Sequence, residues 1–463
     1  MSMKVLKFGG SSVGGAEAIR RAAKLIGEEI PDGGLVVVSA LKGSTDAILE
    51  ALGAAAKGDV LEARGRLESV RATHLAVAQA LELLEPLTAL WGPILERLGE
   101  QLEGAALVGE ASPRTRDAAL TAGETLSALL LTQLLAANGR PARFRDAREI
   151  LRTDQRHGQA RPDLAAIKAS AAPWSEALSR GEILVTQGFV GQGPDGSATT
   201  LGRGGSDTSA ALLGEALGAE EVQIWTDVDG ILTADPSLVP EARPIPRMSL
   251  AEAAALSAFG AKVLHPDCLA PAARAGFRLL VANTLRPEAS RTAILRSETL
   301  RGPGEVSSVA YKEGVATVRL PPGFSLEDLA SLASRLEDAG ARRYGLLSHQ
   351  EGSLLVLRPE TAAAETILEG LREKGIAIEQ GWALVALVGD GLRQDPGAAA
   401  RLLTPLAGER LGAVLTGSQG ASVAFLVPEV RLAVLIPLLH QQFILEAAGS
   451  AQGGTHAPVG AGR

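Results

Sequence analysis

The chain has one cysteine, Cys268, in 463 residues, so it can form neither an intrachain disulfide nor a cysteine-based metal cluster. Its six histidines include no HExxH pattern and no close pair, which removes the usual zinc-hydrolase signature. Aromatic residues make up 3% of the chain, so its cores have to be built from Leu, Val, Ile and Ala. Positive charge is not in excess. The formal net charge is −8 and no basic block offsets it, which argues against a nucleic-acid partner. An anionic substrate held by local Lys and Arg remains open. No apolar run reaches the ~20 residues of a membrane span, so no membrane partner is expected. The opening MSMKVLKFGG lacks the apolar stretch of a secretory leader, and a cytoplasmic location is the expectation.

What is present is the composition of a folded protein, 46% hydrophobic and 21% charged. The length exceeds one ordinary core, so two to four units are expected. The chain is organised around residues 181–236. Ile183-Leu184-Val185 reads as a buried strand. Gln187 to Gly205 is glycine-rich loop, and Ser206-Asp207 stands where a helix N-cap belongs, ahead of Ala210, Leu213 and Leu217 at helical spacing. A second strand, Val222 to Trp225, releases Thr226, Asp227 and Asp229 into a loop. Glycines that let main-chain N–H groups approach a ligand, next to a helix start, are anion-site chemistry. Turns in a Gly-rich chain are the plainer alternative.

The same strand–glycine–helix unit opens the chain. Val5 to Phe8 is a strand, Gly9-Gly10-Ser11-Ser12 a turn, and 16–30 a helix with Ile19, Ala22, Ala23 and Ile26 on one side. It lacks the GKS or GKT of a P-loop and the glycine spacing of the dinucleotide fingerprint. Lys7 would ordinarily read as solvated, but it lies inside an apolar run, which favours a phosphate contact. The strand 35–38 ends in small hydroxyl residues suited to a ligand carboxylate or amine, although Thr45 or Asp46 would equally cap a helix starting at Ala47. Glu124 precedes the run Leu129-Leu130-Leu131; a carboxylate in dry surroundings needs a partner, whereas a surface glutamate needs none. Ser249 with Glu252 spells a capping box for a helix over 248–258. Lys262 stands in a small-residue, apolar context beside a glycine. His265 before Pro266 reads as structural. Strand–helix alternation over residues 1–295 implies a mostly parallel sheet covered by helices on both faces. Beyond the linker 291–306, two βαββαβ-type repeats follow, and the tail from Ala448 reads as disordered.

These motifs together resemble the aspartate kinases of the amino-acid kinase superfamily. KFGGSSV at 7–13, GRGGSD at 202–207, WTDVDGILTADP at 225–236 and FGAKVLHP at 259–266 carry the resemblance, with TAGE at 121–124 and RTDQRHG at 152–158 as weaker matches. The resemblance implies a carbamate-kinase-like catalytic domain over 1–295, ferredoxin-like ACT-type units over 307–376 and 380–447, and a flexible tail over 448–463. It implies transfer of the ATP γ-phosphoryl to the side-chain carboxylate of L-aspartate, on the way to lysine, threonine and methionine. Lys7, Gly9, Gly10 and Ser11 would hold the transferring phosphoryl. Thr45, Glu124, Gly188, Phe189 and Ser206 would form the aspartate site, with Glu124 on the ammonium group. Arg203 would pair with a substrate carboxylate, and Asp207 would stand beside the substrate or the metal. Thr226, Asp227, Asp235 and Lys262 would contact ATP. Mg²⁺ is expected through ATP rather than in a protein cage, and a homodimer is expected through the ACT-like units. The chain departs from the family pattern at Leu232, where an aromatic residue is usual, and at Ala122. In the ACT-like units it departs at 341–345, Ser348-His349 and 417–422, so no effector is assigned. The alternatives are another amino-acid kinase with the same sheet, or an inactive core carrying an ACT-type amino-acid sensor.

Overall fold

The structure, a computed structural model, describes residues 3–259, 264–296, 300–349, 352–416 and 421–446. Lys262, residues 417–420 and the tail from Ala448 lie outside the described residues. The chain divides into two compact units, Met1–Ile231 with Val263–Arg296, and Leu232–Lys262 with Ser297–Arg463.

The first unit is α/β. Its strands are β1 (Lys4–Phe8), β2 (Gly34–Val38), β3 (Ala142–Phe144), β4 (Ile183–Gln187), a small hairpin of β5 (Val190–Gln192) and β6 (Ala198–Thr200), and β7 (Glu221–Thr226). After β8 (Arg247–Ser249), which belongs to the second unit, come β9 (Arg278–Asn283) and β10 (Thr292–Leu295). Within this unit the strands run in the order β3-β4-β2-β1-β7-β9-β10. Every pair from β3 to β9 is parallel, and β10 alone returns antiparallel. Val5, Leu6, Phe8 and the four residues Leu35 to Val38 are fully buried, as the strands of a sheet covered on both faces must be. β1 connects towards β2 on one side, while its other neighbour, β7, connects onward to β9. This reversal opens a crevice at the carboxyl ends of β1 and β7, where doubly wound sheets place their ligands.

The helices of this unit are α1 (Ala16–Glu29), α2 (Ser44–Ala56), α3 (Val60–Ala80), α4 (Leu84–Val108), α5 (Pro113–Ala137), α6 (Leu164–Ser170), α7 (Ala172–Ser179) and α8 (Gly205–Leu217). After α9 (Leu250–Phe259) of the second unit comes α10 (Leu269–Ala275). α5 starts sharply: Ser112 caps it through the N–H of Thr115 at 3.2 Å, and Pro113 occupies the first turn. That is the ordinary grammar of a helix start. α5 is long and apolar enough to cross a membrane, yet 72% of its apolar window is buried inside the protein, where it packs in the core beside α2 and α4.

The second unit is largely antiparallel. α9 carries the expected capping box, with Glu252 N–H donating to Ser249 Oγ and Ser249 N–H to Glu252 Oε2. Then follow β11 (Ser308–Leu320), α11 (Leu326–Asp338), β12 (Ala341–His349), β13 (Gly352–Pro359), α12 (Ala362–Glu373), β14 (Ala377–Val388), α13 (Ala398–Leu403), β15 (Val414–Thr416), β16 (Ser422–Pro428) and α14 (Leu432–His440). The strands form one sheet in the order β12-β13-β11-β14-β16-β15. Two ACT-like halves are present, but they are interleaved. β11 and β14 pair with each other along nearly their whole length, with a register shift between Lys312 and Val315, and each serves both halves. Consecutive repeats with a break between 376 and 380 do not express this sharing, because pairing between distant strands leaves no mark on local periodicity.

Candidate active site

The crevice of the first unit opens into a cavity of about 470 Å³. Four segments line it: Lys7 at the end of β1 with Gly10 and Ser11 after it; Ser39 to Gly43 with Thr45 and Asp46 after β2; Gly202 and 204–207 at the start of α8; and Asp227 after β7, with Glu124 and Phe189 completing the wall. Lys7 is 8% exposed, and its Nζ lies 2.5 Å from Asp207 Oδ1. The contact is an ion pair, not an aligned hydrogen bond, since that oxygen has no hydrogen-bond partner. Burying an ammonium this deeply requires such a partner.

Two helices begin at the cavity on left-handed glycines. α8 was expected to be capped at Ser206-Asp207; it starts instead at Gly205 on Gly204, whose φ is +68°. A Cβ at Gly204 would fall 2.2 Å from His265 Cγ, so only glycine fits there. The earlier start places Ser206 and Asp207 in the first turn, facing the cavity. α2 likewise starts at Ser44 on Gly43, with φ +85°. Thr45 therefore lies inside the helix and lines the cavity instead of capping at 47. Neither start has a side-chain cap, so both leave first-turn N–H groups for an anion.

Glu124 comes from the middle of α5. It is 4% exposed and its Oε2 has no partner. Burial pushes its carboxyl up to about 8, partly offset by main-chain hydrogen bonds from Glu124 itself and Ala40. A buried carboxyl on a cavity wall with one oxygen left without a partner suits a cation. Gly123 brings α5 close: a Cβ there would lie 3.2 Å from that of Ala40.

Phe189 has φ +70°, a conformation that costs a bulky residue energy and persists only where neighbours impose it. Its N–H donates to Ser209 Oγ at 2.8 Å, and its carbonyl accepts from Leu201 N–H at 2.9 Å. Gly188 does not line the cavity. A Cβ there would meet Ser206 Cβ at 2.7 Å, so the glycine lets Ser206 reach its place. Gly9 also stays off the wall; its N–H donates to the Trp225 carbonyl at 3.2 Å, and it gives room to Lys7 Nζ, which would lie 3.3 Å from its Cβ.

The remaining expected residues are distributed as follows. Arg203 is exposed, between the two lining glycines 202 and 204. Thr226 is half-buried and donates to Asp227 Oδ1 at 3.2 Å. Asp235 belongs to the second unit, where its Oδ1 accepts from Ser237 N–H and Oγ–H at 2.9 and 2.6 Å. Lys262 lies outside the described residues. Lys42 lines the cavity as a further cation and was not singled out from the sequence, where nothing separates it from an ordinary surface lysine. Asp117, buried on α5, was also missed, because its donors come from segments about 40 and 83 residues away. Cys268 is buried, and burial next to Asp207 pushes its thiol well above the ordinary range, which leaves it a poor nucleophile.

Residues 2–283 match the amino acid kinase family model. The chain is similar to lysine-sensitive aspartokinase 3 of Escherichia coli, 32% identical over 457 residues, covering 94% of this chain and 98% of that one. It is similar to the aspartokinase of Chlamydia trachomatis, 38% identical over 302 residues, covering 65% of this chain and 66% of the other. Among solved structures, E. coli aspartokinase III in complex with aspartate and ADP superposes with a TM-score of 0.81 at 32% identity, covering 95% of this chain and 99% of that one.

Proposed function

The chain belongs to the amino acid kinase family and, within it, to the aspartokinases, and from that premise we propose how its own residues carry out the transfer of a phosphoryl group from ATP to the side-chain carboxylate of L-aspartate. The observation that carries the proposal is the pairing of opposite receptors in one cavity: the unpartnered Oε2 of the Glu124 carboxyl for an ammonium group, and Lys7 with the first turns of α2 and α8 for anions. A carboxylate oxygen of aspartate attacks the γ-phosphorus, a P–O bond forms, and the bond to the β,γ-bridging oxygen breaks to release ADP. The nucleophile is already ionised near neutral pH, so no general base is needed. The protein supplies alignment and charge neutralisation. Lys7 offsets charge on the transferred group. Arg203, whose planar fork suits a carboxylate, orients the acceptor. Ser39, Thr45 and Ser206 offer hydroxyls to the amino-acid end. Thr226 and Asp227 serve the nucleotide. Mg²⁺ would arrive on ATP; Asp207 and Asp227 offer the hard oxygen donors that it takes, and the ion would add charge neutralisation at the phosphates.

The product is an acyl phosphate, activated for the step that leads towards lysine, threonine and methionine in the cytoplasm. Among the described residues β12 stands at one edge of the antiparallel sheet, and that edge is the pairing surface offered to a second copy in a homodimer. The experiment is a hydroxylamine trap: with ATP and aspartate the chain yields the hydroxamate, and with glutamate it yields at most traces. Glutamyl hydroxamate in the absence of aspartyl hydroxamate would reassign the substrate.

A further inference from the structure

α5 carries a second buried carboxylate seven residues before Glu124. Seven residues are two turns, so both side chains emerge from one face of the helix, about 10 Å apart along its axis. This second group, Asp117, is 1% exposed. It accepts from His157 Nδ1–H at 2.9 Å, from Gly158 N–H at 3.0 Å, from Thr200 N–H at 3.2 Å and from Thr200 Oγ1–H at 2.6 Å. Four donors on one carboxylate satisfy its desolvated charge and lock three chain segments together.

The segments are not arbitrary. Thr200 ends β6 and runs directly into the turn that carries Gly202, Arg203 and Gly204 to the head of α8. Gly158 lies against the same turn: a Cβ at Gly202 would sit 3.2 Å from the Gly158 carbonyl oxygen. The two segments are also tied to each other, Ala160 N–H donating to the Thr200 carbonyl at 2.9 Å and Thr153 Oγ1 meeting Thr199 Oγ1 at 2.6 Å.

We propose that Asp117 is the positioning residue that sets the span between the ammonium receptor Glu124 and the carboxylate-recognising turn around Arg203, and so holds the site to the length of aspartate. This rests on the aspartate reading above. One rigid helix bears both the receptor for one end of the substrate and, two turns earlier, the anchor for the wall that receives the other. Asp117 touches no substrate. It acts through Thr200, His157 and Gly158.

The test is steady-state kinetics of the full chain carrying Asp117→Asn. The amide keeps the shape but turns one oxygen into a donor facing donors. KM for aspartate should rise at least about ten-fold, the cost of one such lost charge-assisted contact passed to the bound substrate. KM for ATP should stay within about two-fold, and the preference for aspartate over glutamate should narrow. Thr200→Val removes one donor and keeps the buried volume, so it serves if the first variant fails to fold; its KM for aspartate should rise a few-fold, again without change for ATP. An unchanged KM for aspartate in a folded variant, or an equal rise for both substrates, would overturn the positioning role while leaving the aspartate reading intact. A wild-type chain that makes no aspartyl phosphate would overturn both.

Discussion

Lys7→Ala should lower kcat by roughly 10²–10³-fold, the usual cost of deleting one preorganised charge stabiliser from a dry site, with a much smaller change in KM for aspartate. The effect follows from position. Lys7 is the last-but-one residue of β1, in register with Val37 and Ile224 on the flanking strands, so its Cα is held by the centre of the sheet. Its Nζ is held by Asp207 at 2.5 Å. A cation fixed at both ends does not have to reorganise when charge builds on the transferred phosphoryl. The fold should survive, because the neighbours Leu6 and Phe8 remain fully buried. Some stability will go, since Asp207 is left without its counter-charge. Lys7→Arg should not restore activity: a planar guanidinium does not place a compact point charge where the ammonium stands beside Asp207. Single-turnover phosphoryl transfer with saturating substrates measures the loss directly. A kcat within a few-fold of wild type would remove Lys7 from the transfer step.

Glu124→Gln has the second large effect, and it acts on the opposite end of the substrate. Removing one partner of a buried ion pair costs about 3–5 kcal/mol, so KM for aspartate should rise roughly 10²–10³-fold, with KM for ATP little changed. The pH dependence carries more information. In the free protein burial raises the carboxyl from 4.5 to about 8. An ammonium ligand binds the ionised form, so aspartate affinity should climb as pH rises through 8, and binding near neutrality should release a proton to the buffer. The variant should show neither. Stability runs the other way. A carboxyl whose folded value is raised contributes stability that is fully present below 4.5 and is lost as pH rises through 8. The ligand-free wild type should therefore weaken between these limits by on the order of a few kcal/mol. Glu124→Gln should flatten that decline and melt higher than wild type at pH 9, while being far worse at binding aspartate. Melting curves across pH 5–9, with and without aspartate, separate these effects.

How far the site was legible depends on whether its determinants were local. KFGGSSV, GRGGSD and TAGE each place a cavity-lining side chain close to a glycine in the sequence. Lys7, Glu124, Ser206 and Asp207 could therefore be named from short stretches of sequence, and all four line one cavity. The parallel sheet was equally plain, because buried parallel strands such as Leu35 to Val38 are unbroken apolar runs. What could not be read was set by tertiary contact. Gly204 is the N-cap of α8 because the His265 ring, 61 residues on, fills the place of its Cβ, and the local pattern pointed to Ser206-Asp207 instead. Asp117 looks like one more charge in a helix until His157 and Thr200 are brought to it. The interleaving of β11 and β14 is a property of long-range pairing, to which a tandem reading of two similar repeats is blind.

The most direct test of the account is a ligand-bound crystal structure of the chain with ADP and L-aspartate. The expected result places the aspartate ammonium within hydrogen-bond distance of Glu124 Oε2, its side-chain carboxylate towards Lys7 and Arg203, and the nucleotide's terminal phosphate on the Lys7 side of the cavity. Aspartate bound outside this cavity, with Glu124 still uncontacted, would contradict it.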